Sequence, residues 1–412
     1  MNQLNPSANQ PVLQVDNLSV GYKDKTVLRE LSFQVEKGSF VSLLGPNGTG
    51  KTTLLRTLSR HLSPLYGTVL VDRAELKKLT QKELAKTMSV VLTEKVNPHF
   101  FRAWDFVAMG RYPHTGFLGK LTSSDEKAVM EALDMVHAED LLFRDINTLS
   151  DGERQKILIA RALAQDPAII LLDEPTMHLD LKHRMEVMAI LQSLCRNKGI
   201  TVIASLHDVD IAAKISDKVA LVKDSQIIAW GEPENILSTD SVSSLYDFKG
   251  ASFNRYLGSI EIRGNCAGKF VFVVAGMSSA AILYRLLSKR GFSIITGILH
   301  ENDLDFFVAN SLGAESYSQL PMNTITTETV QDAKKRISAC ICVIDTGFPV
   351  GELNHGNIDL IKTALEIGCP LYTLRKDDHF SWSVPVSGSN VFPCNSESQL
   401  VSLLEERLQN RV

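Results

Sequence analysis

The 412-residue chain has no uninterrupted apolar run of the roughly 18–20 residues that a membrane-spanning helix requires. The nearest candidate, residues 270–287, is broken by Gly276, Ser278 and Ser279, and favours a strand, a turn and a helix. Residues 1–11 are rich in Asn, Gln and Pro and lack an apolar segment, so we expect a flexible N-terminus and no signal peptide there. Any work at a membrane is therefore expected to need a partner protein.

A disulfide pattern and an excess of positive charge are also absent. The six cysteines are scattered, which argues against a disulfide framework and favours buried, reduced thiols in the cytosol. The net charge of −4 offers no global basic surface, so we expect no nucleic-acid partner. A hydrophobic content of 44% with 22% charged residues is typical of globular proteins, and the length predicts two or three domains.

Residues 45–53 fit the phosphate-loop pattern G-x-x-x-x-G-K-[ST] at every required position. A strand-like apolar run precedes them and helix-forming sequence follows, which is the context that the pattern requires. Glycines let successive N–H groups point at phosphate oxygens, and the helix N-terminus adds its positive end. Lys51 would reach the β- and γ-phosphates, and the Thr52 hydroxyl would ligate Mg²⁺. The pattern predicts a nucleotide-binding site made by Gly45, Asn47, Gly48, Gly50, Lys51, Thr52 and Thr53.

An acidic pair, Asp173 and Glu174, follows the run of four large apolar residues 169–172. Carboxylates at the end of a strand buried on both faces are unfavourable unless they are paired or metal-bound. Asp173 suits a Mg²⁺ ligand, and Glu174 suits a general base that orients the attacking water. His207 ends the next predicted strand, where it could contact a γ-phosphate. Tyr22, in a turn before the phosphate loop, either stacks on adenine or packs in the core.

Three further segments complete an ordered set: Leu149-Ser150-Asp151-Gly152-Glu153, His178-Leu179-Asp180 and the segment at His207. Together with the phosphate loop and the acidic pair, they resemble the signature, D-loop, H-loop, Walker A and Walker B motifs of an ABC-type ATPase. The resemblance covers roughly residues 12–250. It implies an α/β fold, a P-loop ATPase domain with a mixed sheet and a helical subdomain, which hydrolyses ATP with Mg²⁺ in a head-to-tail homodimer.

The resemblance also implies roles for residues that spacing alone does not explain. Tyr22 would stack on adenine, Ser150 and Gly152 of one subunit would close over the γ-phosphate held by the other, and Asp180 would complete that site. Asp151 and Glu153 depart from the usual glycine and glutamine of the signature.

Glu94 stands where the family normally has the glutamine that contacts Mg²⁺ and the lytic water. We assign Glu94 a metal-binding and a catalytic role on this resemblance. A carboxylate can ligate Mg²⁺, but it adds negative charge beside the γ-phosphate, which would slow hydrolysis or alter its coupling.

The segments around Glu94 and at residues 109–116, 174–180 and 205–209 most resemble ATPase subunits of importers for iron-siderophores, haem and cobalamin. This implies polytopic permease partners, indirect action with a substrate-binding protein, and a peripheral place on the cytoplasmic face of the cell membrane. The aromatic-rich segment 96–119 is predicted to be a loop; its aromatics form either an exposed docking surface or a small core. The alternative function is a soluble ABC ATPase, an assembly factor or ligand sensor without a permease.

The resemblance stops near residue 250. Residues 251–268 are predicted to be a linker with one possible strand, and residues 269–412 a small doubly wound α/β domain, because strands and helices alternate. Only one glycine follows its first strand, so a dinucleotide fingerprint is absent. This domain either binds a small ligand or regulator, or contacts a protein or stabilises the chain. Some cobalamin-type importer ATPases carry a similar extension, which favours a corrinoid substrate.

Overall fold

The computed structural model describes residues 11–23, 25–92, 101–116, 119–248, 250–265, 268–376 and 390–409. It divides the chain into two compact units, Met1–Leu237 and Ser238–Val412. The division falls earlier than the expected boundary at residue 250. The reason is local packing: the Thr239 hydroxyl donates a hydrogen bond to the carbonyl oxygen of Phe253 (3.0 Å), which ties residues after 237 to the second unit.

The first unit contains ten strands and eight α-helices among the described residues. The strands are β1 (Pro11–Tyr22), β2 (Lys25–Glu36), β3 (Phe40–Leu44), β4 (Tyr66–Val71), β5 (Ala74–Glu75), β6 (Met88–Val91), β7 (Ile169–Asp173), β8 (Thr201–Leu206), β9 (Lys218–Lys223) and β10 (Gln226–Gly231). The helices are α1 (Lys51–Leu58), α2 (Gln81–Thr87), α3 (Ala103–Ala108), α4 (Ser123–Met135), α5 (Asp151–Ala164), α6 (Leu181–Lys198), α7 (Val209–Ile215) and α8 (Pro233–Ile236).

Two sheets form the body of this unit. One is antiparallel with the order β2-β1-β4-β5, and the other is mixed with the order β10-β9-β3-β8-β7-β6. In the mixed sheet only β10 runs antiparallel to its neighbour. Strands β3 and β7 are buried at every position, as expected for parallel strands covered on both faces. The ends of β3, β7 and β8 therefore meet at one edge of the sheet.

The core of the unit lies between the two sheets and around α1. Leu13 and Leu18 of β1, Leu54 of α1 and Leu171 of β7 belong to one buried cluster, and each is fully inaccessible to solvent. Helix α1 follows the phosphate loop directly, so burying its apolar face also fixes where that loop lies.

The aromatic-rich segment was expected to be a loop, and for residues 103–111 this is wrong. Helix α3 occupies Ala103–Ala108, and a short 3₁₀ turn follows at Met109–Arg111. Phe106 is buried, whereas Tyr112 is 77% exposed. The aromatics thus divide between the core and the surface. Residues 93–100, which include Glu94, and residues 117–118 lie outside the described residues.

The second unit has eight strands and six helices in its described part. The strands are β11 (Ala251–Asn254), β12 (Ser259–Ile262), β13 (Lys269–Val274), β14 (Phe292–His300), β15 (Glu315–Gln319), β16 (Val343–Asp345), β17 (Leu371–Thr373) and β18 (Val391–Pro393). The helices are α9 (Thr239–Tyr246), α10 (Ala281–Lys289), α11 (Leu304–Ser311), α12 (Thr327–Ile337), α13 (Gly356–Glu366) and α14 (Glu397–Gln409).

Six of these strands form one parallel sheet with the order β15-β14-β13-β16-β17-β18. Alternate residues of β13 enter different clusters: Val271 packs with Leu283 of α10, and Phe272 packs with Ile361 of α13. Helices therefore cover both faces, and the predicted doubly wound architecture is confirmed. Within the range expected to be a linker, β11 and β12 form an antiparallel hairpin, so that expectation is corrected for residues 251–262.

Across the described parts of both units, we find no helix with the length and apolar character needed to cross a membrane.

Candidate nucleotide-binding site

The phosphate loop connects β3 to α1 through glycines whose geometry excludes a side chain. Gly45 and Gly50 have φ angles of 155° and 104°. A Cβ atom on Gly45 would lie 2.3 Å from the carbonyl oxygen of Val222, and one on Gly50 would lie 2.6 Å from a methyl carbon of Val27. Both positions thus require glycine for the loop to approach its neighbours.

Lys51 begins α1, and its ammonium lies within the curve of the loop. Its Nζ atom donates hydrogen bonds to the carbonyl oxygens of Gly45 (2.6 Å) and Pro46 (2.9 Å). Burial lowers the pKa of Lys51, while the nearby carboxylates of Glu174 and Asp173 act to raise it. A buried cation at the N-terminus of a helix attracts phosphate, because the ammonium and the helix end both present positive charge to the anion.

Two hydroxyl-bearing side chains converge on the acidic residue that ends β7. Asp173 is buried, and its Oδ1 atom accepts hydrogen bonds from the hydroxyls of Thr52 (3.1 Å) and Ser205 (2.8 Å). The same Ser205 oxygen accepts a hydrogen bond from the backbone N–H of Glu174 (2.8 Å). Ser205 therefore holds both members of the acidic pair in place.

The hydroxyl of Thr52 and the carboxylate of Asp173 fit Mg²⁺. Both are hard oxygen donors, and they already lie within hydrogen-bond distance of each other. The described residues contain no cluster of three or more His, Cys, Asp and Glu side chains that could enclose a metal. One carboxylate with one hydroxyl suits Mg²⁺, which retains waters and binds through one or two carboxylates and substrate phosphates.

Glu174 and His207 lie in contact beside this cluster, and both side chains are partly exposed. His207 Nε2 lies 2.7 Å from Glu174 Oε1, and the two side chains are 39% and 19% exposed, respectively. Glu174 has a φ angle of 48°, a left-handed conformation that is uncommon for a non-glycine residue. Strained conformations of this kind concentrate at functional sites, where surrounding contacts hold them. Ser205 supplies one such contact.

Ser150 and Gly152 lie at the start of α5. Ser150 caps the helix, because its hydroxyl accepts a hydrogen bond from the backbone N–H of Glu153 (3.3 Å). In return, the backbone N–H and the hydroxyl of Ser150 donate to Glu153 Oε2, at 2.8 and 2.9 Å. These bonds lower the pKa of Glu153, and the bond from the backbone N–H of Ser150 has the largest effect. The guanidinium of Arg144 also pairs with Glu153, at 2.7 Å from its Oε1 atom. The glutamate that departs from the family pattern thus completes a capping box.

Asp180 caps α6 and is linked to the start of α5 through one histidine. The Oδ1 atom of Asp180 lies 2.9 Å from both the backbone nitrogen and the Nδ1 atom of His183. A Cβ atom on Gly152 would fall 2.4 Å from the His183 ring. Ser150, Gly152 and Asp180 therefore form a second group, built on helix N-termini.

The predicted residues fall into three sets. Lys51, Thr52, Asp173, Glu174 and His207 come together at the edge of the mixed sheet, and the second group lies on α5 and α6. Tyr22, 47% exposed, ends β1 in the antiparallel sheet.

Within the loop, Asn47 and Gly48 are exposed and Thr53 is buried. Glu94 lies outside the described residues. Sequence reasoning missed Ser205, whose position opposite Asp173 in the β7–β8 register is its distinguishing feature.

One relative that matches over its whole length shows which family this chain belongs to. The ABC transporter ATP-binding protein MJ0873 of Methanocaldococcus jannaschii is 41% identical over 289 residues, a match that spans 70% of this chain and 100% of the relative. The chain belongs to the ABC transporter ATP-binding family. As a member of that family it binds ATP, and ATP hydrolysis is the family's activity. The predicted ABC-type fold of the first unit is confirmed.

Other comparisons agree with this membership in the ABC transporter family. The ABC transporter family model matches residues 28–177, and the MJ0874 family model matches residues 294–385. A cobalamin import ATP-binding protein of Halobacterium salinarum is 31% identical over 339 residues, covering 81% of this chain and 85% of that protein. The solved structure of a metal-chelate type ABC transporter in an inward-facing conformation matches with 31% identity and a TM-score of 0.52, covering 61% of this chain and 96% of that one.

Proposed function

We propose that this ABC protein is the ATP-hydrolysing subunit of an importer for a metal chelate of the iron-siderophore, haem or cobalamin type, coupled to a polytopic permease. The observation that carries the proposal is the assembly of Lys51, Thr52, Asp173, Glu174 and His207 at one sheet edge. A phosphate-binding cation, an oxygen ligand pair and a base with a partner are what ATP hydrolysis needs there.

Each group in this assembly has a chemical task. Lys51, Thr53 and the loop N–H groups hold the phosphates, and Tyr22 stacks on adenine. Glu174 accepts a proton from the attacking water, because its carboxylate is partly exposed and Ser205 fixes its backbone. His207 bonds to Glu174 and contacts the γ-phosphate. Mg²⁺, when bound by Thr52, Asp173 and Glu94, neutralises charge on the phosphates.

A second copy of the chain completes the site in this proposal. Ser150 caps α5, so its hydroxyl and the N–H of Gly152 lie at the positive end of a 14-residue helix. In a head-to-tail homodimer, these groups close over the γ-phosphate of the partner, and Asp180 lies alongside. Arg144 pairs with Glu153, which offsets the negative charge that this residue brings to the signature.

The import role and the substrate class rest on the comparisons. The match to the cobalamin import relative is 339 residues long, whereas the first unit ends at Leu237, so the match includes part of the second unit. That extension favours a corrinoid among the proposed substrates. The exposed side chains of Met109 and Tyr112 are proposed to meet the permease at the cytoplasmic face of the membrane. A substrate-binding protein would act through that permease.

Co-purification from detergent-solubilised membranes tests the coupling. Tagged full-length protein is expected to bring down a polytopic permease, and Tyr112→Glu is expected to reduce its recovery. Tyr66→Glu is the matched control, because Tyr66 is the same residue type, is 73% exposed and lies on β4 of the antiparallel sheet. Recovery of a soluble partner without a permease would favour the alternative, a soluble assembly factor or ligand sensor.

A further inference from the structure

The parallel sheet of the second unit has a switch point at its carboxyl edge. The strand order reverses between β13 and β16, with β14 and β15 to one side and β17 and β18 to the other. In open parallel sheets, ligands bind in the crevice outside the strand ends at such a point. The loop after β13 and the loops after β14 and β16 form this crevice.

The loop after β13 has the shape of an anion-binding nest, but the chain fills that nest itself. Gly276, Met277 and Ser278 all have positive φ angles, and the N–H groups of residues 277–280 all find carboxylate partners. Two of them donate to Asp303 (2.5 and 3.1 Å) and two to Asp305 (2.9 and 3.0 Å). A phosphate would have to displace two carboxylates, so the nest excludes the anionic part of a dinucleotide.

The guanidinium of Arg375, close to this loop, is likewise paired with a carboxylate of the chain, that of Asp345. Asp345, at the end of β16, is fully buried and receives two hydrogen bonds of 2.9 Å from the guanidinium of Arg375. That guanidinium also donates to the carbonyl oxygen of Phe348 (3.1 Å). Arg375 therefore braces the strand ends and is not available to attract an anionic ligand.

Beside the filled nest lies an open crevice of about 770 Å³. We call it the switch-point crevice. Its lining is largely apolar, and the described residues that line it include the carboxylates of Asp303 and Glu352 but no Lys or Arg. Met277 and Met322 are 66% and 79% exposed at this crevice. The apolar lining residues are Met277, Leu304, Met322, Pro349, Val350 and Leu353.

Two loops that border the crevice are held by internal hydrogen bonds. His300 Nε2 lies 2.9 Å from the carbonyl oxygen of Asn323, which ties the loop containing Met322 to the end of β14. The Asn354 side chain accepts from the N–H of Gly351 (2.7 Å) and donates to the carbonyl oxygen of Pro349 (2.8 Å). The crevice is thus largely pre-formed, as small-molecule sites usually are, and its volume is within their usual range.

We propose that the switch-point crevice binds a neutral or cationic metal chelate whose surface carries amide groups. The class of compound rests on the proposed function, and the charge rests on the filled nest and the acidic lining. Methionine side chains adapt to irregular apolar surfaces, while Asn302 and Glu352 offer acceptors to amide N–H groups. Corrinoids and neutral ferric hydroxamates share this chemistry. Haem carboxylates and catecholate siderophores carry the negative charge that the crevice disfavours.

Equilibrium dialysis of the full-length protein tests this proposal with four named probes. Dicyanocobinamide represents the corrinoids, ferrichrome the neutral ferric hydroxamates, and haemin and NAD⁺ the anionic ligands. We expect saturable binding of at least one neutral probe and none of the anionic ones. Which neutral probe binds more tightly identifies the source of the ligand.

Variants locate the binding. Met322→Arg places a bulky cation at the crevice, and we expect it to weaken binding of the neutral probe by at least about tenfold. Ile367→Arg is the matched control, because Ile367 is 52% exposed in the same unit and does not line the crevice. Hydrogen exchange of residues 349–354, expected to slow when the probe is bound, reports on the same site without a substitution.

Failure of this proposal is distinguishable from failure of the proposed function. Lys51→Ala removes the phosphate-loop cation and is expected to leave probe binding unchanged. Absence of binding by both neutral probes, tighter binding of haemin or NAD⁺, or equal effects of Met322→Arg and Ile367→Arg would overturn the crevice assignment. The results expected for ATP hydrolysis and for recovery of the permease do not depend on any of these outcomes.

Discussion

Replacing Glu174 with glutamine removes one basic oxygen from the nucleotide site and keeps the shape of the side chain. The amide retains an oxygen that can contact His207, which lies 2.7 Å from the native carboxylate. The backbone N–H of residue 174 still donates to Ser205. Glu174→Gln should therefore fold normally and bind ATP.

The expected loss lies in the chemical step. A positioned general base contributes about 10²- to 10⁴-fold to rate, which corresponds to about 3 to 5 kcal/mol of transition-state stabilisation. Asp173, the other carboxylate of the pair, is buried and bonded to Thr52 and Ser205, so it is not placed to take over the role of Glu174. We expect turnover to fall by at least about 100-fold with unchanged ATP affinity.

Steady-state phosphate release and ATP binding of the two proteins test this expectation. With hydrolysis blocked, ATP should also hold the variant as a dimer in size-exclusion chromatography. Glu234→Gln, an exposed carboxylate in the first unit, is the control and should keep wild-type turnover. Wild-type turnover in Glu174→Gln would refute the assignment of Glu174 as the base.

Three further substitutions test the roles of Lys51, Gly152 and Asp125. Lys51→Ala should reduce ATP affinity at least about tenfold in equilibrium binding, because the buried phosphate-binding cation is lost; unchanged affinity would contradict its role. Gly152→Ala places a methyl group against the His183 ring and should prevent ATP-dependent dimerisation of the Glu174→Gln protein, whereas Gly116→Ala, with open space around it, should not. Asp125→Asn should destabilise the packing of α4 by about 3 kcal/mol, since it leaves the buried Arg111 guanidinium without its carboxylate; slower hydrogen exchange of α4 would contradict this.

The carboxylate of Asp125 makes the stability of the folded protein depend on pH, and the direction of that dependence follows from its pKa. Hydrogen bonds from Thr122, first from its hydroxyl and then from its backbone N–H, and the pairing with Arg111 lower the pKa of Asp125 from 3.8 to about 2. A depressed folded-state pKa means that the stabilisation is present above about pH 4 and is lost as the pH falls toward 2. Asp125→Asn should remove this component from the acid unfolding curve measured by circular dichroism, and an identical curve would contradict the assignment.

Sequence patterns predicted the strands and helices that carry a strong periodicity or a continuous apolar run. Strands β3, β7 and β8 belong to this class, and so does the phosphate loop that follows β3. Strand β15 was missed because Glu315–Gln319 is polar and half-exposed, without the apolar alternation that marks a strand. Strand β16 is short and begins only at Val343, because Cys340 lies in the turn after α12.

The candidate site likewise contains residues that sequence motifs identify and residues that they do not. Residues with a distinctive neighbourhood in the sequence, such as Lys51, Thr52 and Glu174, could be predicted by motif. Ser205 could not, because its role depends on lying opposite Asp173 across two strands separated by a whole helix. The bond between Ser150 and Glu153 was also missed, although a Ser followed three residues later by Glu is a recognisable capping box.

Uptake into proteoliposomes that contain the co-purified permease tests the central claim most directly. We expect ATP-dependent accumulation of a corrinoid or ferric siderophore with the wild-type protein, and none with Glu174→Gln under the same loading of protein. Accumulation that continues with Glu174→Gln, or ATP hydrolysis by the wild type without uptake of any metal chelate, would contradict an importer ATPase that uses Glu174 as its base.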